Sequence, residues 1–335
     1  MTAEERGIPP GTASTVHIPV MPDETLSALQ PQAGGRFLDG TLGGAGHTSL
    51  LLDASAPDGQ VLAIDADPLA LERARSQLPE AIAAGRLVLA HGNFARMGEL
   101  AAAAGFAPVD GILLDLGLSS DQLADRERGF SFSHDAPLDM RFDRTRGVSA
   151  ADLVNTLPEA ELADLLWRYG EERRSRAIAR RIGEARARRP ITRTGELARL
   201  VAGVVHGRPG GIHPATRTFQ ALRIAVNNEL ASLEAALPAA IELLRPGGRL
   251  AVISFHSLED RIVKRFFQQE ERGCVCPPEL PEWVCGRTPR LRIVTRHPLM
   301  ASETETTTNP RARSAKLRVA EKIEIQIEIQ IEAGT

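Results

Sequence analysis

The sequence predicts a doubly wound α/β domain on a mostly parallel sheet, interrupted after its fourth strand by a helical insert. Three observations carry this. Short apolar runs alternate with helical stretches, the rhythm of a parallel sheet covered on both faces. Those runs lack clean apolar–polar alternation, as expected of strands buried on both sides. The first run is followed by a glycine-rich turn that opens a helix, where such domains bind their ligands.

Taken in order, residues 1–16 have neither the basic-then-apolar order of a secretory signal nor any periodicity, and read as a flexible lead-in. GGRFLDGTLGGAGHTSLLL gives strand, turn and helix. QVLAIDADPLALERARSQL gives a second strand, two aspartates and a helix with Pro68 in its first turn. RLVLAHGNF and GILLDLGLSS supply the third and fourth strands. The rhythm then breaks: from about Ala124 to about Ile224 the chain is helical and arginine-rich. A long helix from Asn227 to Leu244 ends in RPGG, a turn signal. LAVISF is a fifth strand, LEDRIVKRFF a helix, and LRIVT and KLRVAEKIEIQ close a seven-stranded sheet. The ligand-binding domain is therefore discontinuous, residues 17–123 and 225–322, around an insert of 124–224. Residues 323–335 form a strictly alternating Ile/Glu/Gln tail. It either extends the last strand, with the edge-pairing hazard of any exposed strand, or is an addition to the chain; no catalytic role is assigned to it.

At 335 residues, 43% hydrophobic and 25% charged, the chain is an ordinary soluble one. No apolar run approaches the length of a membrane helix. Three cysteines make no disulfide framework and point to the cytoplasm. Cys274, Cys276 and Cys285 fall one ligand short of a closed zinc site, so no metal is expected. The net charge of −3 hides a segregation. Between Glu171 and Arg217 stand twelve arginines against four glutamates, a local +8. From Arg287 to Arg318 eight basic residues face two glutamates, a local +6. Such clusters suit a polyanionic partner, nucleic acid above all; the plainer alternative is solvated helix faces.

The candidate site follows from the strand ends. In DGTLGGAGH, Asp39 to His47, the glycines let backbone approach a ligand, but their spacing is not GxGxxG. Asp65 ends the second strand 26 residues after Asp39, where a carboxylate holds ribose hydroxyls. Asp67, just before Pro68, suits an N-cap instead. Phe94, after the third strand, can stack on adenine. These pieces fit NAD or S-adenosylmethionine. The loose glycine spacing and the late pair of strands favour the methyl donor, since a dinucleotide wants a tighter pyrophosphate cradle. Asp115 ends the fourth strand beside the reacting end of the donor. Gln122 lies close by. In HPATRTFQALRI, Arg217, Thr218, Phe219, Gln220 and Arg223 are candidates for phosphate and base contacts, and in SFHSLEDR His256, Ser257 and Glu259 are expected to face the same crevice.

At this depth the residues resemble the RsmH (MraW) family of bacterial methyltransferases. FLDGTLGGAGH, AIDADP, HGNF, ILLDLGLSS, ERGFSF, PLDMRFD, HPATRTFQALRI, VNNEL, SFHSLEDRIVK and NPRARSAKLR carry the resemblance, over about His17 to Ala320. It implies a class I, Rossmann-like, S-adenosylmethionine-dependent methyltransferase fold with an inserted substrate domain. It implies donor contacts at Ala45, Gly46, His47, Asp65, Phe94, Asp115 and Gln122, and methylation of the N4 of a cytosine in 16S ribosomal RNA, in the decoding region of the small subunit. Two departures stand out. Trp283 occupies the position of a further family cysteine, and the Ile/Glu/Gln tail is foreign to the pattern.

The chemistry this implies sets a demand. The N4 lone pair is delocalised into the ring, so the site must align the amine and accept its hydrogen bonds. Asp115 is the expected acceptor, unless it fixes the methionine end of the donor. Asp115-Leu-Gly-Leu lacks the aromatic that often follows at this strand end, so Phe130, Phe132 and Phe219 are candidates for stacking the base. The expected partner is 16S ribosomal RNA or the small ribosomal subunit, with no membrane; a homodimer is left open. A nicotinamide-dependent oxidoreductase is the rival on the same fold, and a noncatalytic RNA-binding assembly factor the rival of another class.

Overall fold

The computed structural model describes residues 19–207, 211, 213–272 and 288–324. The lead-in, the three cysteines and nearly all of the alternating tail lie outside the described residues. Among the described residues eight strands form one sheet: β1 (Arg36–Asp39), β2 (Gln60–Asp65), β3 (Leu87–His91), β4 (Val109–Asp115), β5 (Leu244–Ser254), β6 (Leu291–Ile293), β7 (Leu299–Met300) and β8 (Lys316–Lys322). The order is β3-β2-β1-β4-β5-β8-β6, with β7 also on β8. The strands from β3 to β5 run parallel; β8 is antiparallel to β5, β6 and β7. The seven expected strands are present, and the eighth, β7, is a two-residue segment too short to leave a pattern in sequence.

Both faces of the sheet are dry, which is why its strands read as unbroken apolar runs. Leu38, Leu62, Ile64, Ile112 and Leu114 point into one core. Phe37, Val61, Ala63 and Leu113 point into the other. The first face is covered by α5 (Met97–Ala103), α12 (Glu229–Leu243) and α13 (Ser257–Arg272). The opposite face carries α1 (Pro22–Leu29), α2 (Gly46–Ala54), α3 (Pro68–Gln77) and α4 (Pro79–Ala83). Because β1, β2 and β4 all run the same way, their final residues Asp39, Asp65 and Asp115 lie along one edge of the sheet. The connections diverge between β1 and β4, making the switch point at which doubly wound sheets bind ligands.

After β4 come α6 (Ser120–Ala124), an irregular stretch, and α7 (Ala150–Thr156), α8 (Glu159–Gly170), α9 (Ser175–Arg186), α10 (Thr194–Ala202) and α11 (Thr216–Asn227). The helices close around a third core from Phe130 to Leu222. α11 runs to Asn227, past the expected boundary at 224, because Val226 still packs on that core. The single helix expected from Asn227 to Leu244 is broken at its start. Asn228 adopts a left-handed φ of 52°, which asparagine tolerates, and α12 begins at Glu229. RPGG does not precede β5 but lies within it. Leu244 pairs with Val109, and pairing resumes only at Gly111↔Arg249, so Arg245 to Gly248 bulge out. A short α14 (Glu303–Thr308) precedes the turn that carries Arg311. Among the described residues no helix is long and apolar enough to cross a membrane.

Candidate active site

The edge bearing the three aspartates opens onto a cleft of about 910 Å³, its mouth included. Asp39 is buried and organises the floor. Its carboxylate accepts hydrogen bonds from Thr48 Oγ1 at 2.7 Å and the Thr41 amide at 3.0 Å. Thr41 Oγ1 in turn accepts from the Asp115 amide at 2.7 Å, tying the ends of β1 and β4 together. Gly40 is glycine for packing: a Cβ there would meet Leu114 Cδ2 at 2.5 Å. Gly43 sits at φ 50°, and its amide donates to Asp65 Oδ2 at 2.8 Å.

Asp65 lines the cleft. Oδ1 accepts from the Asp67 amide at 2.8 Å. Each oxygen keeps a second lone pair for a vicinal diol. Burial pushes its pKa up to about 6, against those two amides, which lower it. Asp67 is the N-cap of α3, accepting from Leu69 N at 3.1 Å. Its other oxygen accepts from Gln122 Nε2 at 3.2 Å and forms a buried ion pair with Arg128. Gln122 Oε1 closes a capping box with Ser119 on α6, so its amide serves the loop from both ends.

Asp115 is 13% exposed in its side chain, with Oδ2 3.6 Å from His47 Nε2. Its Oδ1 is buried without a hydrogen-bond partner among the described residues. Burial pushes its pKa up to about 7; Arg311 opposes this, while Asp39 and Glu259 add to it. Glu259 lines the cleft too. Burial would raise its pKa, but His256, Arg223 and the Phe255 amide prevail and hold it below the ordinary value.

Of the expected donor residues, Gly46, His47, Asp65, Phe94, Asp115 and Gln122 line one cleft. Ala45 does not; it is the buried N-cap of α2 in a left-handed conformation. Of the acceptor candidates only Glu259 reaches the cleft. Arg217 is exposed and donates to the Glu171 carbonyl at 3.1 Å. Thr218 is fully buried, and Phe219 packs edge-on against Phe132 with ring centroids 4.9 Å apart. His256 backs Glu259, its Nε2 3.1 Å from Oε1, without lining the cleft. Phe130, Phe132 and Phe219 are held in or against the insert's core, so none of the proposed stacking rings faces the cleft. The reason is the insert's own need for a core: Phe219 lies on the buried face of α11, and Phe130 and Phe132, from the irregular stretch before α7, pack into and against the same cluster.

Sequence reading missed Phe142, Asn227, Glu229 and Arg311, all of which line the cleft. VNNEL and NPRAR carried the motif signal but no indication that the fold brings them here. Glu229, His256 and Glu259 lie close enough to share a cation. The chemistry is against it. Both Glu229 oxygens accept from Arg223 at 2.8 Å, and His256 Nδ1 accepts from the Glu259 amide, leaving the proton on the Nε2 that would have to ligate.

A ribose-ready carboxylate and a second with one buried oxygen unpartnered, on alternate strands at the switch point of a sheet whose β8 runs against its neighbours, define a class I methyltransferase. The chain belongs to the MraW methylase family, whose profile matches residues 14–323. It is similar to Ribosomal RNA small subunit methyltransferase H of Thermomicrobium roseum, 59% identical over 310 residues, 92% of this chain and 94% of that protein. The protein of that name from Geobacter sulfurreducens is 56% identical, with 92% of this chain and 99% of the relative covered. The one from Dehalococcoides mccartyi is 52% identical, covering 92% and 86%.

Proposed function

We propose that the chain transfers a methyl group from S-adenosylmethionine to the exocyclic N4 of a cytosine in 16S ribosomal RNA, in the decoding region of the small subunit. The observation that carries the acceptor chemistry is the buried, unpartnered Oδ1 of Asp115 at the end of β4. The donor fits the cleft because Asp65 offers two half-used carboxylate oxygens and Phe94 lines the same cleft. When bound, the donor supplies a sulfonium-activated methyl group, so no covalent enzyme intermediate is needed.

The protein's task is then positional. Asp115 Oδ1 accepts a hydrogen bond from the amine and favours its pyramidal, nucleophilic form. The amine must sit roughly 3–3.5 Å from the methyl carbon, in line with the bond that breaks. A carboxylate with a pKa of about 7 is also suited to taking the proton that the methylated amine must lose. Arg311, in the same cleft, favours the ionised form. Residues 17–123 and 225–322 hold the donor in this reading, and the 124–224 insert holds RNA through exposed arginines on and beside α9.

The test is mass spectrometry of nucleosides. Small subunits from cells lacking this protein should gain N4-methylcytidine in 16S ribosomal RNA when incubated with the protein and S-adenosylmethionine. Methylation at any other atom, or none, would overturn the assignment.

A further inference from the structure

We infer that Phe142, contributed by the loop of the insert, is the second aromatic wall against the donor's adenine, facing Phe94 across the cleft. The inference rests on S-adenosylmethionine as donor. Among the described residues two phenylalanines line the cleft, Phe94 and Phe142. Phe94 follows β3 directly. Phe142 reaches the same end from 48 residues further on, through ties that fix its position.

Its backbone is held at both polar groups. The Phe142 amide donates to Asn227 Oδ1 at 2.8 Å. Its carbonyl accepts from Arg128 Nη2 at 2.6 Å, and the same guanidinium donates to the Arg141 carbonyl at 3.0 Å. Arg128 also pairs with Asp67, two residues beyond the ribose-site Asp65. One residue after Phe142, Asp143 Oδ2 lies 3.8 Å from His91 Nε2, at the end of β3. The Phe130 ring supports Phe142 with centroids 5.6 Å apart.

Of these anchors, the Arg128–Asp67 and Asp143–His91 ties bring the Phe142 loop to the ends of β2 and β3. Asp115 lies on β4, two strands from β2. At about 4.8 Å per strand that is roughly 10 Å away. The ring therefore belongs to the nucleoside end of the cleft, not the methyl end where the acceptor base must lie. A partly exposed ring held by its backbone presents a π face to a purine, as stacking platforms do.

The test is calorimetry of S-adenosylhomocysteine binding to the full chain, which needs no RNA and so stands apart from the identity of the acceptor. Phe142→Ala should lose about tenfold or more in affinity, the scale of one aromatic–base stack. Phe142→Leu keeps apolar volume and the fold, checked by an unchanged melting temperature, and should lose affinity as well. Phe142→Tyr keeps the ring and should stay within about threefold of the parent. Parent-like affinity in Phe142→Ala, or equal affinities for the Leu and Tyr variants, would overturn the inference.

Discussion

At the scale of single residues, two carboxylates on alternate strand ends are raised to different extents and serve different duties. Asp65 is raised to about 6 by burial. A ribose hydroxyl needs the ionised form, so donor affinity should be level above pH 6 and fall about tenfold per unit below it. Asp65→Ala should cost about tenfold to a hundredfold, at roughly 1.5–3 kcal/mol per hydrogen bond to a charge. Calorimetry giving the same affinity for the parent at pH 5 and pH 7.5 would remove Asp65 from the ribose site. Asp115 is raised further, to about 7, chiefly by burial. Its native pKa lies above its unfolded value, so the folded state favours the protonated form. Above pH 7 the ionised carboxylate therefore costs stability, and that cost shrinks as pH falls from 7 towards 4. Asp115→Asn should melt higher than the parent above pH 7, with the gap closing on acidification, while methyl transfer is lost. A variant that melts lower at pH 8 would show that Asp115 is held chiefly by its partners rather than strained by burial.

At the scale of elements, α9 shows what charge counting can and cannot tell. Its buried face is Ser175, Ile178, Ala179 and Ile182. Around this face Arg173, Arg174, Arg176, Arg180, Arg181, Arg188 and Arg189 are all exposed. Some of the cluster is spoken for: Arg186 donates to the carbonyls of Val154 and Leu157 and Arg193 to Asp135, while Arg180, Arg181 and Arg189 make exposed, screened pairs with Glu159, Glu184 and Glu196. Reversing Arg180, Arg181, Arg188 and Arg189 to Glu should leave donor affinity nearly intact and weaken RNA binding steeply. Each lost phosphate contact should also flatten the log–log salt dependence by about 0.7–0.9. An unchanged slope and affinity would move the RNA platform to the Arg287–Arg318 stretch. The same contrast explains what was legible. Asp39, Asp65 and Asp115 could be placed from sequence because each ends a strand that declares itself by local pattern. Phe142, Glu229 and Arg311 could not, because their place in the cleft depends on how the insert and the last turn fold back over the sheet. The rings of Phe130, Phe132 and Phe219 were misplaced for the complementary reason. A phenylalanine near a motif has no local mark that separates a binding surface from a helical core.

At the scale of the molecule, three cores must hold one cleft between them, two flanking the sheet and one inside the insert. Two of the ionic ties that join the insert to the sheet domain differ in kind. Glu171 accepts from Ser257 at 2.7 Å and Arg261 at 3.0 Å, but Glu171 and Arg261 are about half exposed. Such a tie is screened and worth about 1 kcal/mol at most. Arg128 and Asp67 are 3% and 1% exposed in their side chains, and Arg128 also holds two loop carbonyls. Removing one partner there strands a buried charge, at a cost of about 3–5 kcal/mol. Arg128→Met should therefore destabilise the chain far more than Glu171→Gln. Adding Asp67→Asn to Arg128→Met should recover part of the loss, since asparagine can still cap α3 while the stranded charge disappears. Urea unfolding of the three variants and the parent measures this directly. If the double variant proves less stable than Arg128→Met alone, the stranded charge is not the cost. The loop carbonyls that Arg128 holds would then be what joins the insert to the donor-binding domain.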